Sequence, residues 1–124
     1  MFSHIMLGVN DLERGKHFYD ALLGQLGIAP GIANRNRFFY RSPTGVFAIS
    51  TPINGESASS GNGATTGFLA QSTDQVNAAH AAGLAAGGVS IEDAPGWPGD
   101  SMYLAYLRDP DGNKICLAYR PAKA

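Results

Sequence analysis

The sequence has few charged residues, a single cysteine and no long apolar run. Charged residues make up 15% of its 124 residues, and the formal net charge is −1. So small a net charge gives no electrostatic reason to expect nucleic acid or a membrane surface as a partner. The lone Cys116 excludes a disulfide within the chain and favours a reducing compartment. Because no apolar run approaches the roughly 20 residues of a membrane span, we expect a cytoplasmic protein.

Turn-forming residues are abundant, with sixteen glycines and seven prolines. Two proline-containing stretches, Ser42 to Gly45 and Asp109 to Asn113, each separate two apolar runs. Proline fixes φ and glycine permits positive φ, so both stretches predict tight β-hairpin turns. An arginine precedes each turn, and the two arginines are 67 residues apart. We expect Asp109 and Asp111 to hydrogen-bond the turn backbone, not to form an acid–base pair.

The segments before the two hairpins follow the same order of predicted elements. A strand, a capped helix and a short strand precede each hairpin, and an offset of 61 residues aligns His4 with Thr65 and Tyr19 with His80. In the second half the helix is predicted over 74–86 and the short strand over 89–93. We predict a single α+β domain, 1–124, of two βαβββ modules whose curved mixed sheets surround a pocket. The modules span about 1–51 and 65–120, joined by a Gly-, Ser- and Pro-rich linker, 52–64.

Three stretches also resemble the motifs of one superfamily: Ser3-His4-Ile5, Val9 to Arg14 with Phe18-Tyr19, and Arg108 to Ile115. Together they resemble the vicinal oxygen chelate superfamily, which includes glyoxalase I, extradiol dioxygenases, and the fosfomycin and bleomycin resistance proteins. The resemblance covers nearly the whole chain and implies a pocket enclosed by paired modules. It also implies a homodimer, with modules paired either between chains or within one chain.

The resemblance further implies four positions at which family enzymes hold a divalent metal with His and Glu or Gln. In this sequence they are His4, Ile49, Thr65 and Cys116. His4 is a good ligand, Thr65 is a weak neutral donor, and Ile49 cannot coordinate a metal. We therefore predict no resident metal. The alternative is a divalent ion such as Zn²⁺ held by His4 and Cys116.

Several candidate residues have a structural interpretation beside the functional one. His4 is either a pocket residue that binds ligand or acts as a base, or a histidine hydrogen-bonded within the sheet. Cys116 is most simply a small buried side chain, because no neighbouring cation in the sequence would activate its thiol. Alternation directs only half of each strand's side chains to the pocket. The pocket-lining candidates are Phe38, Tyr40, Phe47, Trp97, Met102 and Tyr103.

The combined reading favours a protein that binds a small molecule in a pocket between the modules without the family's metal. His4 is then the polar anchor of the pocket. The first alternative is a divalent-metal-dependent lyase or dioxygenase of the vicinal oxygen chelate type. The second is an enzyme that uses His4 as a general base without metal.

Overall fold

The computed structural model describes residues 1–91 and 93–122. The chain forms two βαβββ modules, as the sequence predicts. Module one consists of β1 (His4–Gly8), α1 (Leu12–Gly24), β2 (Ile32–Asn34), β3 (Arg37–Ser42) and β4 (Gly45–Ser50). Module two consists of β5 (Thr66–Leu69), α2 (Thr73–Ala85), β6 (Val89–Ser90), β7 (Tyr103–Arg108) and β8 (Lys114–Tyr119).

Each module contains one four-stranded mixed sheet. The strand orders are β1-β4-β3-β2 in sheet one and β5-β8-β7-β6 in sheet two. In both sheets the first strand runs parallel to the last strand of its module, and the remaining pairs are antiparallel. This arrangement leaves β1 and β5 at the edges of their sheets.

Both helices begin at a side-chain cap. The Asp11 carboxylate accepts a hydrogen bond from the Arg14 amide at 3.1 Å, and the Ser72 hydroxyl accepts one from the Gln75 amide at 3.0 Å. Each cap satisfies an amide that the first helical turn leaves unpaired. The two helices have 13 residues each and start 61 residues apart, which is the predicted offset.

One hydrophobic core serves both modules. Alternating strand residues of the two sheets point to this core and pack against α1 and α2. We call the core-facing side of each sheet its inner face and the opposite side its outer face. The inner faces contribute Phe38, Tyr40, Phe47, Ile49, Ala105, Leu107, Ile115 and Leu117.

The hairpin turns differ in length, and this difference corrects the predicted alignment. Two residues, 43–44, connect β3 to β4, whereas five residues, 109–113, connect β7 to β8. The offset between modules is therefore 67 before the turn, where Phe38 corresponds to Ala105. It becomes 68 after the turn, where Ile49 corresponds to Leu117. A shift of one residue moves a side chain to the other face of a sheet, so Cys116 corresponds to Ala48 and not to Ile49.

The turn of module two, residues 109–113, binds module one. The Tyr19 hydroxyl donates to Asp109 Oδ2 at 2.6 Å, and Asn113 Nδ2 donates to the same oxygen at 2.8 Å. Asn113 Nδ2 also donates to the carbonyl of Gly8 at 3.1 Å. Because Asp109 is only 2% exposed, this network lies within the junction between the modules.

Asp111 makes a second link from this turn to module one. Its Oδ1 accepts hydrogen bonds from Arg14 and from the Asn10 amide, both at 2.9 Å. Within the turn, Asp109 Oδ1 accepts the amides of Asp111 and Asn113, each at 2.9 Å. The expectation that both aspartates bond the turn backbone is thus met for Asp109. For Asp111 it is wrong, because this carboxylate accepts its hydrogen bonds from Asn10 and Arg14 of module one instead.

The connecting segments agree with the sequence in outline. Residues 52–64, the predicted linker, contain no helix or strand. Strand β6 is shorter than the predicted strand over 89–93, of which residue 92 lies outside the described part. Among the residues that the structure describes, none of the helices combines the length and apolarity needed to cross a membrane.

Candidate functional site

A cleft of about 600 Å³ opens between the modules, beside the edge strands β1 and β5. The end of α1 and the hairpin turn of module one form its other walls. Its volume falls in the range typical of small-molecule sites. Most of the lining side chains are aliphatic or aromatic, including Ile5, Leu26, Ile28, Tyr40, Phe47 and Phe68, and His4 and Thr66 supply polar atoms.

Aromatic side chains from both modules meet at this cleft. Phe47 of module one contacts Phe68 of module two edge to face, with ring centroids 5.0 Å apart. Tyr19 packs behind Phe47, with ring centroids 4.8 Å apart. Such edge-to-face and tilted arrangements are the favourable geometries for aromatic pairs. The cleft wall is therefore fixed by contacts that join the modules.

The hydroxyl of Tyr40 is hydrogen-bonded within module one. It donates to Asp20 Oδ1 at 2.8 Å. Burial, and then the neighbouring Asp20 carboxylate, raise the pKa of Tyr40 far above its usual value. Tyr40 therefore remains neutral at physiological pH and contributes ring surface to the cleft.

His4 brings an imidazole to the rim of the cleft. The residue is exposed on β1, and its Nδ1 lies 2.7 Å from the Ser3 hydroxyl. Within residues 1–91 and 93–122, no carboxylate forms an ion pair with this ring. A histidine-based catalytic site commonly needs a group that orients the imidazole. Among the described residues, the side-chain hydrogen bond of His4 is to its neighbour Ser3, which is not an orienting group of this kind.

The family's metal positions do not supply a suitable set of donors. With the corrected alignment, they hold His4, Ala48, Thr65 and Cys116. Sheet one presents His4 and Ala48 on its outer face, and Cys116 lies on the outer face of sheet two. An imidazole, a methyl group, a neutral hydroxyl and a thiol do not match the oxygen and nitrogen donors that Mg²⁺, Mn²⁺ or Fe²⁺ prefers. Across the described residues, no three His, Cys, Asp or Glu side chains are grouped to hold a metal.

The structure brings some of the sequence-predicted residues together and separates others. His4, Tyr40 and Phe47 all line the cleft. Ile49 is fully buried on the inner face, Cys116 is 8% exposed, and Phe38 is 9% exposed and packed in the core. These last three residues do not line the cleft.

Trp97, Met102 and Tyr103 lie elsewhere on module two. Trp97 contacts Tyr103 edge to face, with centroids 5.4 Å apart, and borders a smaller hollow of about 140 Å³. The Tyr103 hydroxyl donates to Asn77 at 2.8 Å, while the Met102 sulfur accepts from Arg120 at 3.4 Å. All three side chains are therefore held by contacts that lie away from the cleft.

Sequence reasoning missed several residues of the cleft. Phe68 corresponds to Leu7 at the 61-residue offset, so the repeat and strand alternation together pointed to a core-facing aromatic there. Leu26 and Ile28 follow the end of α1, where periodicity no longer applies. The path of the chain after the helix, which brings them to the cleft, had no signal in the sequence.

Paired βαβββ modules with mixed sheets around a shared core define the architectural class of this protein. The model of the Glyoxalase/Bleomycin resistance protein/Dioxygenase superfamily matches residues 1–117, and the chain belongs to this family. The family and the fold expected from the sequence are both confirmed. Among curated proteins, none matches the sequence.

Solved structures agree with the family assignment. A glyoxalase/bleomycin resistance protein from Albidiferax ferrireducens T118 is 65% identical, with 98% of this chain and 99% of that chain covered and a TM-score of 0.95. A glyoxalase-related enzyme from Fulvimarina pelagi is 26% identical, with 100% and 93% covered and a TM-score of 0.74. A lactoylglutathione lyase from Agrobacterium tumefaciens is 18% identical, with 96% and 92% covered and a TM-score of 0.67. At this identity the last comparison shows a common fold alone.

Proposed function

We propose that this chain binds a small, mainly apolar molecule in the cleft between its modules. The observation that carries the proposal is the cleft itself, about 600 Å³ and lined mostly by aliphatic and aromatic side chains. An apolar ligand gains free energy in such a site by leaving water. The aromatic faces of Phe47 and Phe68 are fixed by their mutual contact, so the ligand meets a wall that is already ordered.

His4 is the polar anchor in this proposal. Among the described residues that line the cleft it is the only histidine, and it sits at the rim, where a ligand's polar end remains close to water. A single placed polar group in an apolar site fixes the orientation of a ligand more than it adds affinity. His4→Ala is therefore expected to weaken binding by about tenfold, the effect of one lost hydrogen bond.

The proposed site works without the divalent metal used by enzymes of the family. The argument is the chemistry of the donors, since Ala48 cannot coordinate and Thr65 is a weak neutral ligand. The alternative function is a metal-dependent lyase or dioxygenase. It is kept because relatives of this chain include a glyoxalase-related enzyme, and the metal measurement described in the Discussion separates the two functions.

We further propose that the protein acts as a cytoplasmic homodimer. Strands β1 and β5 are sheet edges, and unpaired edges with apolar side chains are normally covered by another chain or element. A second copy placed against these edges would also close the open side of the cleft. The large exposed residues beside the cleft are Met1, Phe2, Ile5 and Leu69.

The ligand proposal is tested by thermal shift with neutral apolar probes such as indole and 1-hexanol, followed by a wider fragment panel. Ile5 is 37% exposed and lines the cleft, so Ile5→Trp should fill part of it and abolish the shift. Ile53, which is 97% exposed in the linker, provides the matched control Ile53→Trp. At ten times Kd a ligand should stabilise the fold by about 1.4 kcal/mol.

Two results would contradict this proposal. One is equal ligand binding by the wild type and Ile5→Trp, which would place the ligand elsewhere. The other is the absence of any probe or fragment that raises Tm. Size-exclusion chromatography with light scattering tests the homodimer separately, and a monomer at micromolar concentration would remove that part of the proposal.

A further inference from the structure

The linker between the modules contains both Asn-Gly pairs of the sequence, Asn54-Gly55 and Asn62-Gly63. In such a pair the main-chain amide of glycine follows directly after the asparagine side-chain carbonyl, and glycine has no side chain to obstruct their approach. Asparagine is accordingly one of the thermolabile residues of proteins. Because both pairs belong to one exposed segment, their surroundings can be compared directly.

Hydrogen bonds hold both reacting groups of the first pair. The Gly55 amide donates to the Pro52 carbonyl at 3.1 Å. The Asn54 side-chain oxygen accepts from the Glu56 amide at 3.0 Å, and Asn54 Nδ2 donates to the Glu56 carboxylate at 3.3 Å. The amide that would attack and the carbonyl that would be attacked are therefore both engaged. A reaction between them first requires that these hydrogen bonds break, which costs free energy.

The second pair lies in a turn that leaves its reacting groups unengaged. The Ala64 amide closes the turn by donating to the Gly61 carbonyl at 3.3 Å. Gly63 has a φ of 96° in this turn, a conformation that glycine adopts readily. Among the described residues, neither the Gly63 amide nor the Asn62 side chain has a hydrogen-bond partner. Residues 61–65 are all exposed, so water reaches the pair.

The single Asp-Gly pair of the sequence, Asp111-Gly112, is protected in the same way as the first Asn-Gly pair. The Gly112 amide donates to the Asp109 carbonyl at 3.0 Å, and Asp111 Oδ1 accepts from Arg14 at 2.9 Å. The Asp111 side chain is only 1% exposed. Of the three pairs, all within the described residues, Asn62-Gly63 is the one whose reacting groups are both unengaged and in contact with water.

We propose that Asn62-Gly63 is a site of spontaneous modification, at which Asn62 converts into aspartate and isoaspartate. The Gly63 amide nitrogen loses its proton to hydroxide and attacks the side-chain carbonyl carbon of Asn62. The new C–N bond closes a succinimide ring, and the bond to the side-chain nitrogen breaks, so that this nitrogen takes a proton from water and leaves as ammonia. Water then opens the ring at either carbonyl carbon, which yields aspartate or isoaspartate. The reaction consumes one water, releases one ammonia and needs no oxidant or reductant.

The modification changes the segment that leads into β5. It adds one negative charge there, and in isoaspartate the main chain also gains a carbon atom. Residues 66–68 of β5 line the cleft, but Asn62 itself is exposed in the linker. The folded structure should therefore tolerate the change, and modified molecules should separate from unmodified ones by anion exchange. This inference does not depend on the function proposed for the cleft.

The test follows the purified full chain at mildly alkaline pH by peptide mass spectrometry, which gives the deamidated fraction at each pair. Asn62 should react at least about fivefold faster than Asn54, the factor that corresponds to one hydrogen bond. In concentrated urea, which removes the hydrogen bonds of the fold, the two rates should become similar. Labelling with a protein isoaspartyl methyltransferase should mark the peptide that contains residue 62.

Two matched variants provide an independent measurement, the release of ammonia from the folded protein. Asn62→Gln keeps the amide but lengthens the side chain, and the larger ring that glutamine would need closes slowly. Ammonia release should fall at least about fivefold in Asn62→Gln, by the same hydrogen-bond argument. It should stay near the wild-type rate in Asn54→Gln. Circular dichroism checks that both variants keep the wild-type fold.

Several results would overturn the inference. Equal rates at the two pairs in the folded protein would do so, and so would a difference that persists unchanged in urea, because the fold would then not be its cause. Another is an unmodified Asn62 after a period in which the urea-unfolded chain reacts. A fall in ammonia release in Asn54→Gln, with none in Asn62→Gln, would place the modification at the other pair.

Discussion

The two hairpin turns have different roles in otherwise matching modules. The helices have equal lengths and the strand orders correspond, yet the turn of module one has two residues and that of module two has five. The short turn borders the cleft. The long turn hydrogen-bonds Tyr19, Gly8, Asn10 and Arg14 of module one. In this repeated fold, the short turn of module one therefore lies beside the cleft, and the long turn of module two links the two modules.

The outer faces of the two sheets differ in the same asymmetric way. His4 corresponds to Thr65, Ala48 to Cys116, and Arg37 to Leu104. Sheet one therefore carries both the histidine and Arg37, whose Nε has no hydrogen-bond partner among the described residues. Sheet two carries the Trp97 loop and its small hollow instead. Because the two modules carry different residues at matched positions, variants at such positions can test how the modules differ.

The largest expected effect is that of Asp109→Ala in the long turn. This change leaves the Tyr19 hydroxyl and the Asn113 amide without their buried acceptor. We expect the free energy of unfolding to fall by about 3 kcal/mol or more, because unsatisfied buried donors retain their desolvation cost. Urea denaturation followed by circular dichroism measures the change.

Ser42→Ala is the matched variant in the short turn. Within the described residues its hydroxyl makes hydrogen bonds only to residues 44 and 45, and we expect the free energy of unfolding to fall by about 1 kcal/mol or less. If both variants cost the same, the long turn would not be the main link between the modules.

Tyr19→Phe should have the next largest effect, because it removes only the hydroxyl that crosses from α1 to Asp109. We expect a loss of about 1.5 kcal/mol in the wild-type background. In the Asp109→Ala background the same change should cost clearly less, since the two groups share one hydrogen bond. Equal costs in the two backgrounds, measured by a double-mutant cycle of urea unfolding, would mean that Tyr19 does not act through Asp109.

The pH dependence of stability provides a third test of the same pair. Burial, followed by the nearby Asp109 carboxylate, raises the pKa of Tyr19 well above its usual value. A tyrosine with a raised folded-state pKa contributes full stability below its unfolded pKa, about 10, and loses it as the pH rises further. Between pH 8 and pH 11 the melting temperature should therefore fall less steeply with pH for Tyr19→Phe than for the wild type. Parallel curves would contradict this.

A smaller effect on stability is expected for a second tyrosine–carboxylate pair, Tyr40 and Asp20, which lies inside module one. Burial alone would raise the pKa of Asp20, but hydrogen bonds from Lys16, the Gly31 amide and Tyr40 outweigh it and lower the pKa. A lowered carboxyl pKa contributes stability above its unfolded value and loses it as the pH falls through the folded-state value. Between pH 5 and pH 3 the folded protein should lose stability as Asp20 is protonated. Tyr40→Phe should make this loss of stability only slightly smaller, because two other hydrogen-bond donors to Asp20 remain. If Tyr40→Phe lowered the free energy of unfolding as much as Tyr19→Phe does, the two tyrosine–carboxylate pairs would contribute equally to stability, contrary to this account.

The smallest expected effect is that of divalent metals. Added Zn²⁺ or Mn²⁺ should leave Tm unchanged, and elemental analysis of the purified protein should find far less than one ion per chain. The reason is that, of the residues at the family positions, only His4 and Cys116 can be strong ligands for Zn²⁺, and they lie on different sheets. One tightly bound ion per chain would instead favour the metal-dependent lyase or dioxygenase.

The fold could be predicted from the sequence because local and long-range signals agree. The helix caps, the turn residues and the repeat at offset 61 all describe one unit written twice. Strand alternation divided each strand into two faces without showing which face is buried. The alignment failed only after the hairpin turn, where Ser42 to Gly45 and Asp109 to Asn113 look alike in sequence but differ by three residues in turn length. Hydrophobic periodicity does not indicate the length of a turn. The resulting one-residue error in the alignment placed Ile49, instead of Ala48, at a metal position of the family.

The candidate site was less predictable for a related reason. Tyr40 and Phe47 line the cleft from the inner faces, a position that depends on how the two modules pack rather than on either module alone. Predictions of this kind need the contacts between elements, which a single sequence does not contain.

The central claim is that a small molecule occupies the intermodule cleft without help from a metal. The most direct measurement is an amide chemical-shift titration of the ¹⁵N-labelled chain in EDTA with the best neutral probe from the thermal-shift screen. We predict saturable shifts at residues 4–5, 45–47 and 66–68. Binding that requires added Zn²⁺ or Mn²⁺, with shifts centred on Ala48 and Cys116, would contradict the claim.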